Sequence, residues 1–299
     1  MYKKITIFGV GLIGGSFALA LKRAGVNAPI FGYGRSAAPL ARARALGIID
    51  VVADSVEQAV DGADLILIAA PVAQTGAILQ SIAPWLWAST VVTDAGSTKS
   101  DVVAVARTTL GEKIGQFVPG HPIAGREMNG PDAAVADLYV GKKIVLTVLP
   151  ENSAADIDRV AAAWRLCGAV LHQLTPTEHD RVFAAVSHLP HLLSYALVDD
   201  IARKPHAALL FEFAASGFRD FTRIAGSSPE MWRDIALANQ PALLRELDGY
   251  LQRLQELRGM LAAHDSAGIE SVFSRAQQAR QSWIQQIETA EQQTQQGGD

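Results

Sequence analysis

Short apolar runs rich in β-branched residues alternate with helically spaced apolar positions as far as about residue 174. Runs of the first kind are typical of strands buried on both faces. We predict strands at 5–10, 29–33, 64–70, 90–94, 143–149 and 170–174, and helices at 12–22, 40–46 and 154–166. Their alternation predicts an α/β domain over residues 1–174, with a parallel, doubly wound sheet of the Rossmann type.

From about residue 175 long helical patterns replace the strand-like runs. Pro190 is expected to kink the first helix, because proline removes one backbone hydrogen bond. We predict helices at 178–202, 206–224, 229–238, 241–263 and 269–290. These form an all-helical domain over 175–290, whose broad apolar faces either pack within the domain or form the interface of a homodimer, the assembly we expect. The Gln/Gly-rich tail at 291–299 is expected to be disordered.

Composition excludes several classes of partner. The chain has 299 residues and a formal net charge of −4, so no basic excess favours nucleic acid. Cys167 is the single cysteine, which rules out an internal disulfide and a cysteine metal cluster. No apolar run reaches the length of about 18 residues that a membrane span needs, and no signal segment precedes Lys3. We therefore expect a cytoplasmic protein without a membrane partner.

A glycine motif, Gly9-x-Gly11-x-x-Gly14, links the first predicted strand to the first predicted helix. In this context the first glycine permits a tight turn, the second lets the backbone approach a pyrophosphate, and the third lets helix and strand pack closely. The free N–H groups at the helix start then face the phosphates. The predicted dinucleotide site also includes Leu12, Ile13, Ala70 and Pro71.

The end of the second predicted strand distinguishes the two nicotinamide cofactors. An acidic residue there would bind the ribose 2′-hydroxyl of NAD, but the sequence reads Gly34-Arg35-Ser36 and has no carboxylate before Asp50. Arg35 can pair with a 2′-phosphate and Ser36 can add a hydrogen bond. We predict a preference for NADP. In the alternative, Arg35 is a solvated loop residue and NAD binds.

Three further clusters carry groups suited to chemistry, and each lies beyond a predicted strand or within the helical region. Because Rossmann-type sheets host many reactions, these clusters must decide the function. They are Asp94-Ala-Gly-Ser97-Thr-Lys99, then His121-Pro-Ile-Ala-Gly125-Arg126-Glu127, and the pair Ser187-His188-Leu-Pro190-His191 and Gly217-Phe-Arg219-Asp220-Phe-Thr-Arg223 through Trp232. A metal bound by His188 and His191 is not favoured, because no third ligand lies nearby.

As a set, these motifs resemble the prephenate/arogenate (cyclohexadienyl) dehydrogenases of tyrosine biosynthesis, from about residue 4 to about residue 285. The resemblance implies oxidative decarboxylation of prephenate or arogenate with NAD(P)+. It also implies His121 as the base, Ser97 at the reacting hydroxyl and the nicotinamide, and Arg223 as the anchor for a substrate carboxylate. The further residues that it assigns to the substrate are Arg219, His191, Glu127 and Trp232.

Other positions have less specific interpretations. We expect His188 to have a structural role and Lys99 to lie on the surface or beside the cofactor. Ser97 could in addition cap the helix that follows it. The role of Arg126 stays open, and so does the choice between prephenate and arogenate. Because the sequence lacks an appended regulatory domain, any inhibition by tyrosine is expected to be competitive.

Two other classes remain as alternatives. One is a β-hydroxyacid dehydrogenase or imino-acid reductase, which also joins a Rossmann domain to helices. The hydroxyacid enzymes place a catalytic lysine on the first helix after the domain junction, and residues 178–191 contain no lysine. The other is a non-catalytic NADP-sensing regulator, which has no need of His121 and Arg223 together.

Overall fold

The computed structural model describes residues 2–126 and 128–296. Five parallel strands form the first sheet, in the order β3-β2-β1-β4-β5. These strands are β1 (Ile5–Phe8), β2 (Ile30–Tyr33), β3 (Val51–Val52), β4 (Leu65–Ile68) and β5 (Val91–Asp94). The helices between them are α1 (Leu12–Arg23), α2 (Ala37–Ala45), α3 (Val56–Val60) and α4 (Thr75–Ile82). The predicted fold class is confirmed. Of these elements, β3, α3 and α4 were not predicted. With two and five residues, β3 and α3 are too short to display a period.

Strands β1 and β4 lie in the middle of this sheet and are buried along their whole length. That burial is the reason both read as unbroken apolar runs rather than as alternating ones. Parallel strands end at the same edge, so the loops after β1, β4 and β5 meet there. The glycine motif and the Asp94–Lys99 segment are therefore brought together by topology.

A second, three-stranded sheet follows helix α5 (Ser100–Leu110). Its strands are β6 (Gly120–Pro122), β7 (Lys143–Leu146) and β8 (Val170–Gln173), with helix α6 (Ala154–Leu166) between the last two. Strand β6 runs antiparallel to β7, whereas β7 and β8 are parallel. The prediction of one wholly parallel sheet was wrong here, because strand direction depends on long-range pairing that a local pattern does not reveal.

The helical region begins with α7 (Pro176–Phe183), a π-helical turn (Ala184–His188) and α8 (Leu189–Ala202). The π turn lies immediately before Pro190, so the break expected from this proline takes the form of a wider turn. The helix predicted at 206–224 is divided into α9 (Ala207–Glu212) and α10 (Ser216–Thr222). The interruption covers residues 213–215, and local helix propensity does not explain it, because two of these three residues are alanines. Helix α11 (Pro229–Ala238) follows a short 3-10 turn at Arg223–Gly226.

The segment Pro176–Ala202 has the length and the mean hydropathy, 1.2, of a membrane-spanning helix, which the sequence analysis did not anticipate. Length and composition are the only grounds for that comparison. Its buried polar side chains, His179, Asp180 and His188, contact other parts of the same folded unit. These side chains tie the segment into the folded unit.

Contacts divide the chain into two units, Met1–Leu243 and Leu244–Asp299, and the boundary falls within helix α12 (Gln240–Ala262). The second unit contains the rest of α12 and helix α13 (Ser266–Gln296). Its large side chains are widely exposed, among them Leu251, Leu261, Phe273 and Trp283. The predicted domain division at 174/175 stays a prediction. Helix α13 continues to Gln296, past residue 291, where the sequence analysis placed the start of the tail.

Candidate active site

The glycine motif forms a turn that leaves room for a ligand at one of its three positions. Gly9 has φ +94°, and a Cβ atom at Gly14 would lie 2.2 Å from the carbonyl oxygen of Gly9. Around Gly11 a Cβ atom would meet nothing within 4 Å. Gly11 is the N-cap of α1, so the N–H groups of the first helical turn have no partner within the helix. This arrangement fits the pyrophosphate of a dinucleotide.

The remaining residues predicted to bind the cofactor lie at the same sheet edge. Ala70 and Pro71 follow β4, and Gly34 follows β2. Arg35 and Ser36 are exposed at the start of α2, where the hydroxyl of Ser36 makes no capping hydrogen bond. Both side chains therefore face solvent beside the open phosphate turn.

The segment after β5 is fixed by a buried ion pair. Nζ of Lys99 lies 2.6 Å from Oδ2 of Asp94, and both side chains are almost fully buried. The other carboxylate oxygen of Asp94 accepts the N–H of Gly120, at the start of β6. Of the two positions expected for Lys99, the one on the surface was wrong, because this lysine neutralises a carboxylate inside the fold. The position beside the cofactor stays a prediction. The pair ties the loop that carries Ser97 to the strand that carries His121.

Helix α5 is capped by a side chain from another helix. The carboxylate of Asp180, on α7, accepts the N–H groups of Lys99 and Ser100, each at 2.8 Å. The alternative role foreseen for Ser97, as the cap of this helix, is not observed, since the N-cap residue is Lys99. Ser97 is half-buried. Its hydroxyl is thus not used for capping.

His121 lies on β6, half-buried, with its ring against two other rings. Its Nδ1 is 2.8 Å from Nε2 of His179, and the ring of Phe183 lies edge-on to it at 4.9 Å between centroids. Burial, with added repulsion from His179 and Lys99, holds the pKa of His121 well below 6.5. At neutral pH the imidazole is therefore uncharged and has a lone pair available for a proton.

His188 is buried close to the same place. The amide of Asn239 donates to its Nδ1 at 3.0 Å, and the same amide nitrogen donates to the carbonyl of Asp180. Its Nε2 is buried next to the backbone of Ser97. Burial lowers the pKa of His188 to about 4. These contacts agree with the structural role expected for this histidine.

His191, Trp232 and Arg223 form a second group. The rings of His191 and Trp232 are stacked, with centroids 3.5 Å apart and planes inclined by 18°. Nδ1 of His191 donates to the carbonyl of Ser187 at 2.8 Å. Burial lowers the pKa of His191, and the nearby charge of Arg223 lowers it further. Helix α11, which carries Trp232, packs on the turn Val72–Gln74 directly after Pro71. This group is therefore adjacent to the edge that holds the glycine turn.

Three predicted positions are not part of these two groups. Arg219, on α10, and Arg126, after β6, are both exposed. Glu127 lies outside the described residues. Helix α10 ends at Thr222, so Arg223 lies beyond the helix of Arg219, at the start of a 3-10 turn.

Sequence reasoning did not identify His179, Asp180 and Asn239. His179 and Asp180 directly follow the capping box formed by Thr175 and Glu178, where polar residues are ordinary. The sequence offered only one indication of a functional role, the adjacent histidine and aspartate in an amphipathic helix. That pattern does not show that the two side chains are buried.

The fold and site define a class: a nicotinamide-dinucleotide-dependent dehydrogenase with a Rossmann-like domain and a helical region. A family model for the prephenate dehydrogenase nucleotide-binding domain matches residues 17–173, and one for the prephenate dehydrogenase dimerization domain matches residues 175–275. The chain therefore belongs to the prephenate dehydrogenase family. The predicted resemblance and enzyme class are confirmed.

Individual relatives agree over nearly the full chain. Cyclohexadienyl dehydrogenase from Zymomonas mobilis is 36% identical over 282 residues, covering 94% of this chain and 96% of that protein. The crystal structure of A. aeolicus prephenate dehydrogenase with hydroxyphenyl propionate and NAD+ has a TM-score of 0.88 at 34% identity, covering 94% of this chain and 98% of that one. Synechocystis arogenate dehydrogenase has a TM-score of 0.79 at 28% identity, covering 94% and 99%.

These relatives support the function that the motifs predicted, a dehydrogenase of tyrosine biosynthesis that carries out oxidative decarboxylation. They also support a nicotinamide cofactor. The alternatives of a hydroxyacid dehydrogenase, an imino-acid reductase or a non-catalytic regulator are not supported.

Proposed function

We propose that this chain converts prephenate, arogenate or both to 4-hydroxyphenylpyruvate or tyrosine, with release of CO₂ and reduction of NAD(P)+. The observation that carries the proposal is the position of His121 on β6, where Asp94 accepts the N–H of the neighbouring Gly120 and so fixes the strand at the end of β5. The family match over nearly the whole chain supplies the class of substrate.

In this reaction the ring hydroxyl loses its proton, the carbon that carries it loses a hydride, and the opposite carbon loses its carboxylate. When bound, the nicotinamide accepts the hydride. The electron pair of the breaking C–CO₂ bond moves through the ring to the new carbonyl oxygen, which recovers a proton and becomes a phenol. The base therefore holds the proton only between two steps. Aromatisation provides the driving force, so the protein has to position the ring, accept one proton and hold two carboxylates.

His121 is the proposed base. An imidazole accepts a proton only while it is uncharged, and the lowered pKa of His121 keeps it so at neutral pH. Ser97 is the proposed partner of the reacting hydroxyl, because its own hydroxyl is not used as the cap of α5. The proton acceptor and this hydroxyl lie on segments joined by the Asp94–Lys99 ion pair and its contact with Gly120.

Arg223, His191 and Trp232 are the proposed binding surface for the substrate. A guanidinium gives two parallel charge-assisted bonds to a carboxylate, which a lysine does not reproduce. Because Nδ1 of His191 donates to Ser187, its Nε2 is an acceptor when the ring is uncharged. The stacked indole of Trp232 fixes the plane of that ring. Arg219 and Glu127 are assigned to the substrate by resemblance alone.

For the cofactor, we propose NADP as the preferred form and NAD as a usable one. The support is the exposed Arg35 beside the phosphate turn, with Ser36 next to it and no carboxylate in this loop. Gly9, Gly11 and Gly14 shape the turn, and the start of α1 supplies the N–H groups.

We also propose a homodimer and competitive inhibition by tyrosine. The match to a dimerization domain and the exposed apolar side chains of residues 244–289 support the homodimer. Tyrosine is itself the proposed product from arogenate, and it shares the phenol ring and a charged side chain with 4-hydroxyphenylpyruvate. This similarity supports binding of tyrosine in the substrate site. The cytoplasmic location stays a prediction.

A two-by-two assay tests the proposal: prephenate and arogenate, each with NAD+ and NADP+, followed by reduced-cofactor absorbance and CO₂ release. We expect turnover of at least one substrate, faster with NADP+, with CO₂ and reduced cofactor formed in equal amounts. His121→Asn is the matched control and should be nearly inactive in the productive combination. Folded protein without turnover in any of the four combinations, or cofactor reduction without CO₂, would contradict the proposal.

A further inference from the structure

Three side chains form a continuous hydrogen-bonded row behind the proposed base. Oδ1 of Asp180 is 2.9 Å from Nδ1 of His179, and Nε2 of His179 is 2.8 Å from Nδ1 of His121. His179 is completely buried, and Asp180 is nearly so. Solvent therefore has little access to the middle of the row, and each member takes its hydrogen-bonding partner from its neighbour.

The direction of the protons along this row follows from Asp180. Although burial alone raises it, the pKa of Asp180 is lowered by hydrogen bonds from His179, Ser100 and Lys99. An ionised carboxylate can only accept hydrogen bonds, so Nδ1 of His179 must carry its proton. Nε2 of the uncharged His179 is then an acceptor, and Nδ1 of His121 must donate to it. The lone pair of His121 is left on Nε2.

We propose that His179 and Asp180 are positioning residues that hold His121 in the tautomer whose Nε2 accepts the proton of the substrate hydroxyl. The inference rests on the proposed role of His121 as the base. In the opposite tautomer Nε2 carries a hydrogen and cannot accept the substrate proton. An acceptor behind the ring thus decides whether a histidine in the right place can act as a base.

His179 is the position at which to test this. Asp180 also caps α5 through Lys99 and Ser100, so its replacement disturbs the loop of Ser97 as well. His179→Phe removes the acceptor and keeps an aromatic ring beside Phe183, whose centroid is 4.5 Å away. His179→Gln can keep the same polarity, with its amide N–H toward Asp180 and its oxygen toward His121. His172→Phe, at an exposed histidine of β8, is the matched control.

The first measurement is the ¹⁵N spectrum of imidazole nitrogens in protein labelled at histidine, without substrate, with His121→Asn to assign the signals. In wild-type protein at neutral pH we expect a protonated Nδ1 and an unprotonated Nε2 on His121. His179→Phe should lose that preference, while His179→Gln and His172→Phe should retain it. A wild-type spectrum with the proton on Nε2 would overturn the proposal by itself, even if the phenylalanine variant fails to fold.

The second measurement is steady-state kinetics. For His179→Phe we expect kcat to fall roughly 10²–10⁴-fold, the contribution of a general base, with little change in KM for either substrate. His179→Gln should recover most of the loss. Equal kcat for the two variants, or an unchanged His121 spectrum in His179→Phe, would contradict the positioning role. If wild-type protein turns over neither substrate, the proposed function fails, whereas the tautomer of His121 is still measured by the spectrum.

Discussion

The side-chain amide of Asn239 donates a hydrogen bond to Nδ1 of His188, with 3.0 Å between the two nitrogens. The same nitrogen donates to the carbonyl of Asp180, so the amide orientation is fixed by an acceptor that cannot donate. His188 is therefore uncharged in the folded protein, with its hydrogen on Nε2. Protonating Nδ1 would place two donors against each other, which adds to the cost of burying a charge.

A first prediction concerns the pH dependence of stability. The pKa of His188 is about 4 in the folded chain and near 6.5 when unfolded, so below pH 6.5 the unfolded state binds the proton first. Stability is then lost as the pH falls, by about 2 kcal/mol from this group between pH 7 and pH 5. Denaturant unfolding at the two pH values should show a smaller loss in His188→Gln than in wild type. Equal losses would contradict the prediction, and His172→Gln serves as the control.

A second prediction concerns the base. His121→Asn should lower kcat roughly 10²–10⁴-fold with a modest change in KM. Because the pKa of His121 lies well below 6.5 in the free protein, wild-type kcat/KM should stay level down to pH 6.5 and fall only as the pH drops further. An acidic limb centred at or above pH 6.5, or a variant with near-normal kcat, would count against His121. His172→Asn, at an exposed position, should behave as wild type.

A third prediction concerns the substrate carboxylate. Arg223→Ala should raise KM for the substrate roughly 10- to 150-fold, the equivalent of about 1.5–3 kcal/mol for hydrogen bonds to a charged group. Arg223→Lys should restore little, since an ammonium cannot form the paired contact. Arg219→Ala, at an exposed position of α10, should have the smaller effect. Initial-rate kinetics at saturating cofactor decide this, and an unchanged KM in Arg223→Ala would remove the assignment.

A fourth prediction compares two glycines of the same turn. Gly14→Ala should destabilise the fold by roughly 1–3 kcal/mol, because its Cβ would meet the carbonyl of Gly9 at 2.2 Å. Gly11→Ala meets no protein atom within 4 Å and should fold normally, yet raise KM for the cofactor where the backbone must approach a phosphate. Thermal unfolding and cofactor titration of both variants separate the effects. Normal cofactor binding by Gly11→Ala would argue against a pyrophosphate at this turn.

A fifth prediction concerns cofactor choice. Arg35→Asp should shift the NADP/NAD ratio of kcat/KM toward NAD by roughly 10- to 150-fold, by losing a charge-assisted contact to a 2′-phosphate. Arg23→Asp introduces the same charge change at the far end of α1 and should leave the ratio unaltered. If the ratio stays constant in Arg35→Asp, the preference for NADP does not arise from this loop.

The parts of the fold that were predicted are those decided by neighbours in the sequence. Strands β1 and β4 are unbroken apolar runs, and the spacing of Gly9, Gly11 and Gly14 needs only the flanking strand and helix to be interpreted. The parts that were missed depend on partners far along the chain. Asp180 looks like an acid in the first turns of its own helix, yet it caps a helix that begins 80 residues earlier.

Lys99 shows the same limit at a single residue. Lysines are rarely buried completely, so a surface position was the reasonable expectation. Its carboxylate partner, Asp94, is only five residues away, but nothing local reveals that both side chains are buried. Burial of a polar residue is a property of the assembled fold and becomes visible only when the elements are packed.

The π-helical turn at Ala184–His188 makes the length of this helix as important as its sequence. It holds one residue more than an α-helical turn, so a single deletion there would restore regular α-helical winding and leave both halves close to phase. His179 and Asp180 lie before the turn, and His191, which stacks on Trp232, lies after it. A further inserted residue between residues 184 and 188 would rotate the second half by about 100° and move His191 off Trp232, even where every side chain of the site is retained.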